Sequence, residues 1–187
     1  MQEADKVARQ AVKLDERYPY ALWSLGMTLS WERRNEEALA AAEKAIGFNP
    51  NFADGNSMVG VQLHFLGRSA EAIPFFDRAM ALDPHFNSLL LYFRAQALYQ
   101  LGRYADAASH LRRRILRNPE TDAARVLLAA SLGQMGLVDE AREAWREALS
   151  INPTYSLEQR RNVLPYKNPA DFERIVEGLR KAGLPET

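Results

Sequence analysis

The chain has 187 residues, with 24 Lys plus Arg against 24 Asp plus Glu, so its formal net charge is zero. That balance argues against nucleic acid or an anionic membrane as principal partner, since either asks for a basic excess. There is no cysteine, which excludes a disulfide framework, a thiol nucleophile and a thiolate metal site; no apolar run reaches the ~18 residues of a membrane span and no signal-peptide pattern opens the chain, so a cytoplasmic, helix-rich protein is expected.

A period of 34 to 35 residues runs through the chain. Pro50, Pro84, Pro119 and Pro153 keep it, as do Ala4, Ala38, Ala72, Ala107 and Ala141, and Gly67, Gly102 and Gly136 share the step. Such regularity marks a helical repeat array. In chain order, residues 1–16 carry Ala4 and Ala11 at the phase of a second helix. They are expected to be the second helix of a leading repeat whose first helix lies upstream, making the chain a fragment of a longer protein. Its uncovered apolar face would offer a homodimer contact.

The first full unit, 17–50, opens with a helix whose apolar stripe is Leu22, Leu25, Gly26 and Leu29. Asn35 with Glu36 and Glu37 starts its second helix, which supplies Leu39, Ala42 and Ile46. In 51–84 the stripe is Val59, Gly60 and Leu63, Ser69 is expected to cap the second helix, and Ile73, Phe76 and Met80 face inward. Pro74, read as lying in the first turn, predicts a mild bend. Leu91, Ala95 and Leu98 repeat the stripe in 85–119, and Leu128, Ala129 and Leu132 in 120–153. The small member of each set (Gly26, Gly60, Ala95, Ala129) lets a partner helix approach closely. Stacked helix pairs of this kind bury one continuous core.

The pattern changes over 154–187. A short helix is expected near 156–163. A second begins at Asn168 as N-cap with Pro169 behind it, carries the stripe Phe172, Ile175, Val176 and Leu179, and stops at Gly183 and Pro185. This pair reads as a C-terminal helical cap.

With the small residue in the first helix, the turn glycine, the two alanines of the second helix and the closing proline all in phase, residues 1–153 resemble the tetratricopeptide repeats. The resemblance implies an all-α superhelix, an α-solenoid of antiparallel helix pairs. Arg33 departs from the turn glycine and Arg114 from the second alanine, which implies looser packing there or use of the arginine's aliphatic stem. The first-helix aromatic of the family is Leu22, Asn56, Leu91 and Arg125 here. The tail VLPYKNPADFERIVEGLRKAGLPE is similar to the C-terminal ends of large bacterial proteins in which a class III adenylate or guanylate cyclase domain precedes such repeats. The cyclase's metal and nucleotide ligands would lie upstream, and none maps onto this chain.

Catalytic chemistry has no visible constellation. His64, His85 and His110 share no helical face and cluster with no carboxylates, acid pairs sit at helix starts, and each glycine has a contact or turn to serve. No metal, cofactor or enzyme activity is therefore expected. The Arg112–Arg117 cluster reads as a solvated face near a helix end, or as an anion site. The functional signal is a second stripe. In the resembling family the first helices line a concave groove that grips a peptide or protein, and on that geometry Tyr20, Trp23, Met27 and Trp31, then Ser57, Val61, His64 and Phe65, then Tyr92, Gln96 and Tyr99 face it. Trp23, Met27 and Trp31 stand at i, i+4 and i+8, along one helix edge. Capture of a free C-terminal carboxylate is not expected, because Trp23 and Met27 occupy the positions where such relatives carry lysine and asparagine.

Overall fold

The structure, a computed structural model, describes residues 2–185. Met1, Glu186 and Thr187, at the ends of the expected 1–16 and 154–187 segments, lie outside the described residues. The described residues form helices joined by turns, with no strand among them. The described residues divide into two compact units, one of residues 2–86 with 165–167 and one of residues 87–164 with 168–185.

Unit 1 holds α1 (Gln2–Leu14), α2 (Pro19–Trp31), α3 (Asn35–Phe48), α4 (Ala53–Phe65) and α5 (Ser69–Leu82), each packed on the next, with α2 also beside α4. Pro19 occupies the first turn of α2, where its missing N–H costs nothing and its fixed φ suits the helix. Gly26 is where α2 meets α3: a Cβ there would stand 3.3 Å from the Ala38 carbonyl oxygen. Gly60 leaves room for the Phe76 ring, to which a Cβ would approach within 2.7 Å. Burying such apolar faces stabilises by roughly 25 cal/mol per Å² of area removed from water.

The turns inside the hairpins share one device. Arg33, Gly67, Gly102 and Gly136 all have positive φ, and the next residue's N–H reaches back to the preceding helix, as in Arg34 N to Leu29 O at 2.9 Å and Arg68 N to Leu63 O at 2.8 Å. This is the Schellman ending, which satisfies the orphan carbonyls of a helix C-terminus. Arg33, at φ 62°, adopts it without glycine's freedom. The second helices then start behind Arg34, Arg68 and Arg103, whose guanidiniums pair with Glu37, Glu71 and Asp106 three residues on. Ser69 is the first residue of α5 rather than its cap, because its hydroxyl is committed to His64 Nδ1 at 3.0 Å. Pro74 is the sixth residue of α5, beyond the first turn, and the helix continues to Leu82.

Unit 2 holds α6 (Leu89–Gln100), α7 (Tyr104–Arg117), α8 (Asp122–Gln134), α9 (Val138–Ile151), α10 (Leu157–Val163) and α11 (Pro169–Lys181). Helices α6 to α9 repeat the hairpin packing. Arg114, at an alanine position of the repeat, is buried and donates to the Ser88 hydroxyl; burial pushes its pKa down. The terminal helices are locally well specified. Ser156 accepts from Gln159 N as the α10 cap, Asn168 from Ala170 N as the α11 cap, and Gly183 at φ 67° ends α11 in the same Schellman geometry. Helix α11 packs on α8 instead of stacking on α9 as α8 stacks on α7. Helix α11 thus covers α8, a first helix of unit 2.

Candidate functional site

In unit 1, α2 carries large apolar side chains in the open. Trp31 is 59% exposed, Tyr20 50% and Met27 36%. Trp23 is half-buried and packs with Val12 against the Leu22, Ala45 and Phe52 cluster, so it is both strut and surface. Tyr20 stacks edge-on against Phe52 at 4.6 Å and lies 5.8 Å from the Tyr18 ring. On α4, Ser57 and Val61 are half-buried. The Gln62 amide crosses to α2 and donates to Ser30 Oγ at 3.0 Å, which ties the two first helices together.

His64 and Phe65 have a different environment. Both are buried, and the segment Pro165–Lys167 covers them. The Tyr166 ring meets His64 at 5.4 Å and Phe65 at 5.2 Å, both edge-on. Lys167 N–H donates to the Phe65 carbonyl at 2.9 Å, and Asn35 Nδ2 donates to the Pro165 carbonyl at 2.6 Å. The Lys167 ammonium lies 2.5 Å from Glu36 and holds that carboxyl below the usual range. His64 Nε2 lies 3.3 Å from the Tyr166 hydroxyl. Enclosure without a charged partner pushes the His64 pKa down to about 3, so the ring is neutral near pH 7.

In unit 2, Tyr92, Gln96 and Tyr99 are buried. The Tyr99 hydroxyl donates to the Arg174 carbonyl at 2.7 Å and Gln100 Nε2 to the Asp171 carbonyl at 2.6 Å, both in α11. Gln96 Nε2 donates to the Tyr92 hydroxyl at 3.3 Å. Burial pushes the phenols of Tyr92 and Tyr99 up. A shallow crevice beside them is lined by Tyr92, Val126, Leu127, Leu157, Arg160 and Phe172. Sequence reasoning placed these side chains on one face and did not foresee that the chain's own tail would occupy it. The available signal was Gly178, lying within the Phe172–Leu179 stripe where a glycine allows backbone contact.

The arginine run is divided among roles. Arg112 pairs with Glu140 at 2.8 Å, Arg114 is buried, and Arg113 is exposed. His110 sits against the Arg94 guanidinium and His85 is exposed. Among the described residues, no three His, Asp or Glu side chains converge as a metal site would require, and no helix is long and apolar enough to cross a membrane.

Comparisons with known proteins agree with this geometry. The family model for the anaphase-promoting complex, cyclosome, subunit 3 matches residues 66–148. The crystal structure of PilW, a widely conserved type IV pilus biogenesis factor, superposes with a TM-score of 0.77 at 19% identity, covering 97% of this chain and 82% of that one. That of YrrB, a tetratricopeptide repeat protein with an unusual peptide-binding site, does so at 0.68 and 22% identity, covering 96% and 92%. The putative adenylate cyclase 3 of Rhizobium meliloti (strain 1021) is 50% identical over 44 residues, which are 24% of this chain and 8% of that protein's length. The chain has the tetratricopeptide-repeat fold, all-α and built of helix hairpins.

Proposed function

We propose that this chain is a non-catalytic interaction scaffold that grips a peptide or protein segment on the first-helix face of unit 1. The observation that carries the reading is the exposed stripe of Tyr20, Met27 and Trp31 beside half-buried Trp23. Ser57 and Val61 extend it onto α4. Monomeric surfaces seldom leave contiguous large apolar side chains open without use, and tryptophan and tyrosine anchors often carry ~2 kcal/mol or more each in interfaces. The partner that fits is a segment with apolar anchors. To test this, peptides are selected from a random display library on the native chain and titrated against a Trp23→Ala/Trp31→Ala double variant. Affinity should fall by roughly 30-fold or more, with the helical circular dichroism intact. Undiminished affinity would mean the face is not the site.

A second reading rests on the 44-residue match: the chain is a C-terminal regulatory or assembly region of a bacterial cytoplasmic nucleotide cyclase whose catalytic domain lies upstream. An open reading frame upstream of residue 1 that encodes no cyclase-like domain refutes it. A second copy seated on the exposed Val7 and Leu14 face of α1 is part of the scaffold reading; sedimentation at the monomer mass at every concentration excludes it.

A further inference from the structure

We propose that α11 is an internal ligand: it holds closed a docking face formed by α6 and α8, and that face accepts in trans an amphipathic helix with a glycine in its apolar stripe. A Cβ built on Gly133 would fall within the van der Waals envelope of the Gly178 carbonyl, and one built on Gly178 would collide with the Tyr99 hydroxyl and the Ala130 carbonyl. Two helices therefore touch main chain to main chain, and each glycine's added methyl meets its closest atoms across that contact. The seat for a glycine-bearing helix lies in the first-helix face itself.

The polar contacts follow the same logic. Tyr99 and Gln100 donate to main-chain carbonyls of α11, as does Gln134 to Arg174 at 3.5 Å, while Arg174 donates back to the Gln100 carbonyl at 3.0 Å. Donors aimed at carbonyls recognise a helix backbone, whatever its outward side chains. The inward side chains Phe172, Ile175, Val176 and Leu179 are all buried and supply the apolar part of the match. A helix with that stripe and a glycine at the contact meets every one of these demands.

Two further facts suit an exchangeable occupant. Helix α11 is self-contained, capped by Asn168 at one end and by the Gly183 Schellman turn at the other, so its backbone groups are satisfied before it docks. It also completes only half of the Gln100 amide: Nε2 donates to Asp171, but Oε1 is buried with no acceptor role among the described residues. A tethered helix nevertheless holds its seat well, because a short linker gives an effective concentration near millimolar. The face in question is distinct from the Trp23–Trp31 stripe, and either proposal stands if the other fails.

The test uses the full chain and a fluorescein-labelled peptide of residues 168–185. In Gly178→Ala the internal helix is spoiled and the face is native; the variant should bind the peptide roughly 100-fold tighter than the native chain does. In Gly133→Ala the face itself is blocked; the tail should be released, becoming open to trypsin at Arg174 and Lys181, yet the peptide should not bind. A specific protease site inserted between Lys167 and Asn168 of the otherwise native chain leaves 165–167 on unit 1 and gives a readout independent of either variant's folding: after cleavage, the bound helix should exchange for the labelled peptide. Equal peptide binding by all three chains, or a cleaved tail that never exchanges, overturns the proposal. So does a native chain that elutes as a tail-exchanged dimer, because the occupant would then be a second copy.

Discussion

In unit 1 the α2 face leaves Tyr20, Met27 and Trp31 in the open, whereas in unit 2 the corresponding stretch of α6 is buried, with Tyr99 and Gln100 bonded to α11. The hairpins beneath are alike in helix length and in the positive φ of their turns. The difference arises from what lies on them. The aromatics of α2 have bare surroundings, whereas a tyrosine paired to a helix carbonyl makes a fastening. The first-helix face is thus open in one unit and covered by the chain's own helix in the other.

Phe76→Ala empties the space that Gly60 leaves in the unit 1 core and should cost about 3–5 kcal/mol in urea unfolding; a loss below ~1 kcal/mol would show that the hairpin does not rest on this ring. Acid comes next, and it acts on unit 1 through buried His64. Its folded pKa, lowered by desolvation to about 3 from 6.5, means that the unfolded chain binds the extra proton between those values. The contribution is therefore complete above about pH 6.5 and is lost as pH falls toward 3, at about 1.4 kcal/mol per pH unit. Unfolding midpoints measured from pH 7 to 4 should slope accordingly. The His64→Gln chain should show a flatter slope; an unchanged slope would assign the acid sensitivity elsewhere.

Smaller effects sharpen the contrast between fastening and scaffold. Tyr99→Phe removes one donor from the α11 carbonyl and should cost about 1 kcal/mol, seen as faster amide exchange confined to α11. Exchange that accelerates equally in α6 and α8 would mean the hydroxyl supports the hairpins as well. Arg33→Gly relieves a left-handed backbone at φ 62°. Relief of about 1–2 kcal/mol, partly offset by a freer unfolded chain, should raise stability by up to about 1 kcal/mol. A loss of stability would show that the Arg33 side chain contributes more than its backbone strain costs.

Much of this architecture is written in short-range pattern. The stripes such as Leu22–Gly26–Leu29, the turns at Gly67, Gly102 and Gly136, and the Asn168 cap depend on residues within a turn or two of one another, so their spacing alone reports them. Exceptions occur where a side chain finds a stronger partner than its local one. Ser69 looks like a cap and bonds His64 instead; Arg114 stands at an alanine site and is accommodated by burying its stem and reaching Ser88.

By itself the sequence determined that Phe172, Ile175, Val176 and Leu179 must be hidden from water, since an amphipathic stripe states that need wherever it occurs. It did not say against what. Only the tertiary structure decided that α11 covers α8, that Tyr166 covers His64 and Phe65, and that the Trp31 edge stays open. Those contacts join positions 75 and more than 100 residues apart, as in Tyr99 with Arg174 and His64 with Tyr166. Helical period is a local property with one solution per segment, whereas docking selects among many exposed faces by shape, and backbone contact at Gly133 and Gly178 is legible only once both helices are in place.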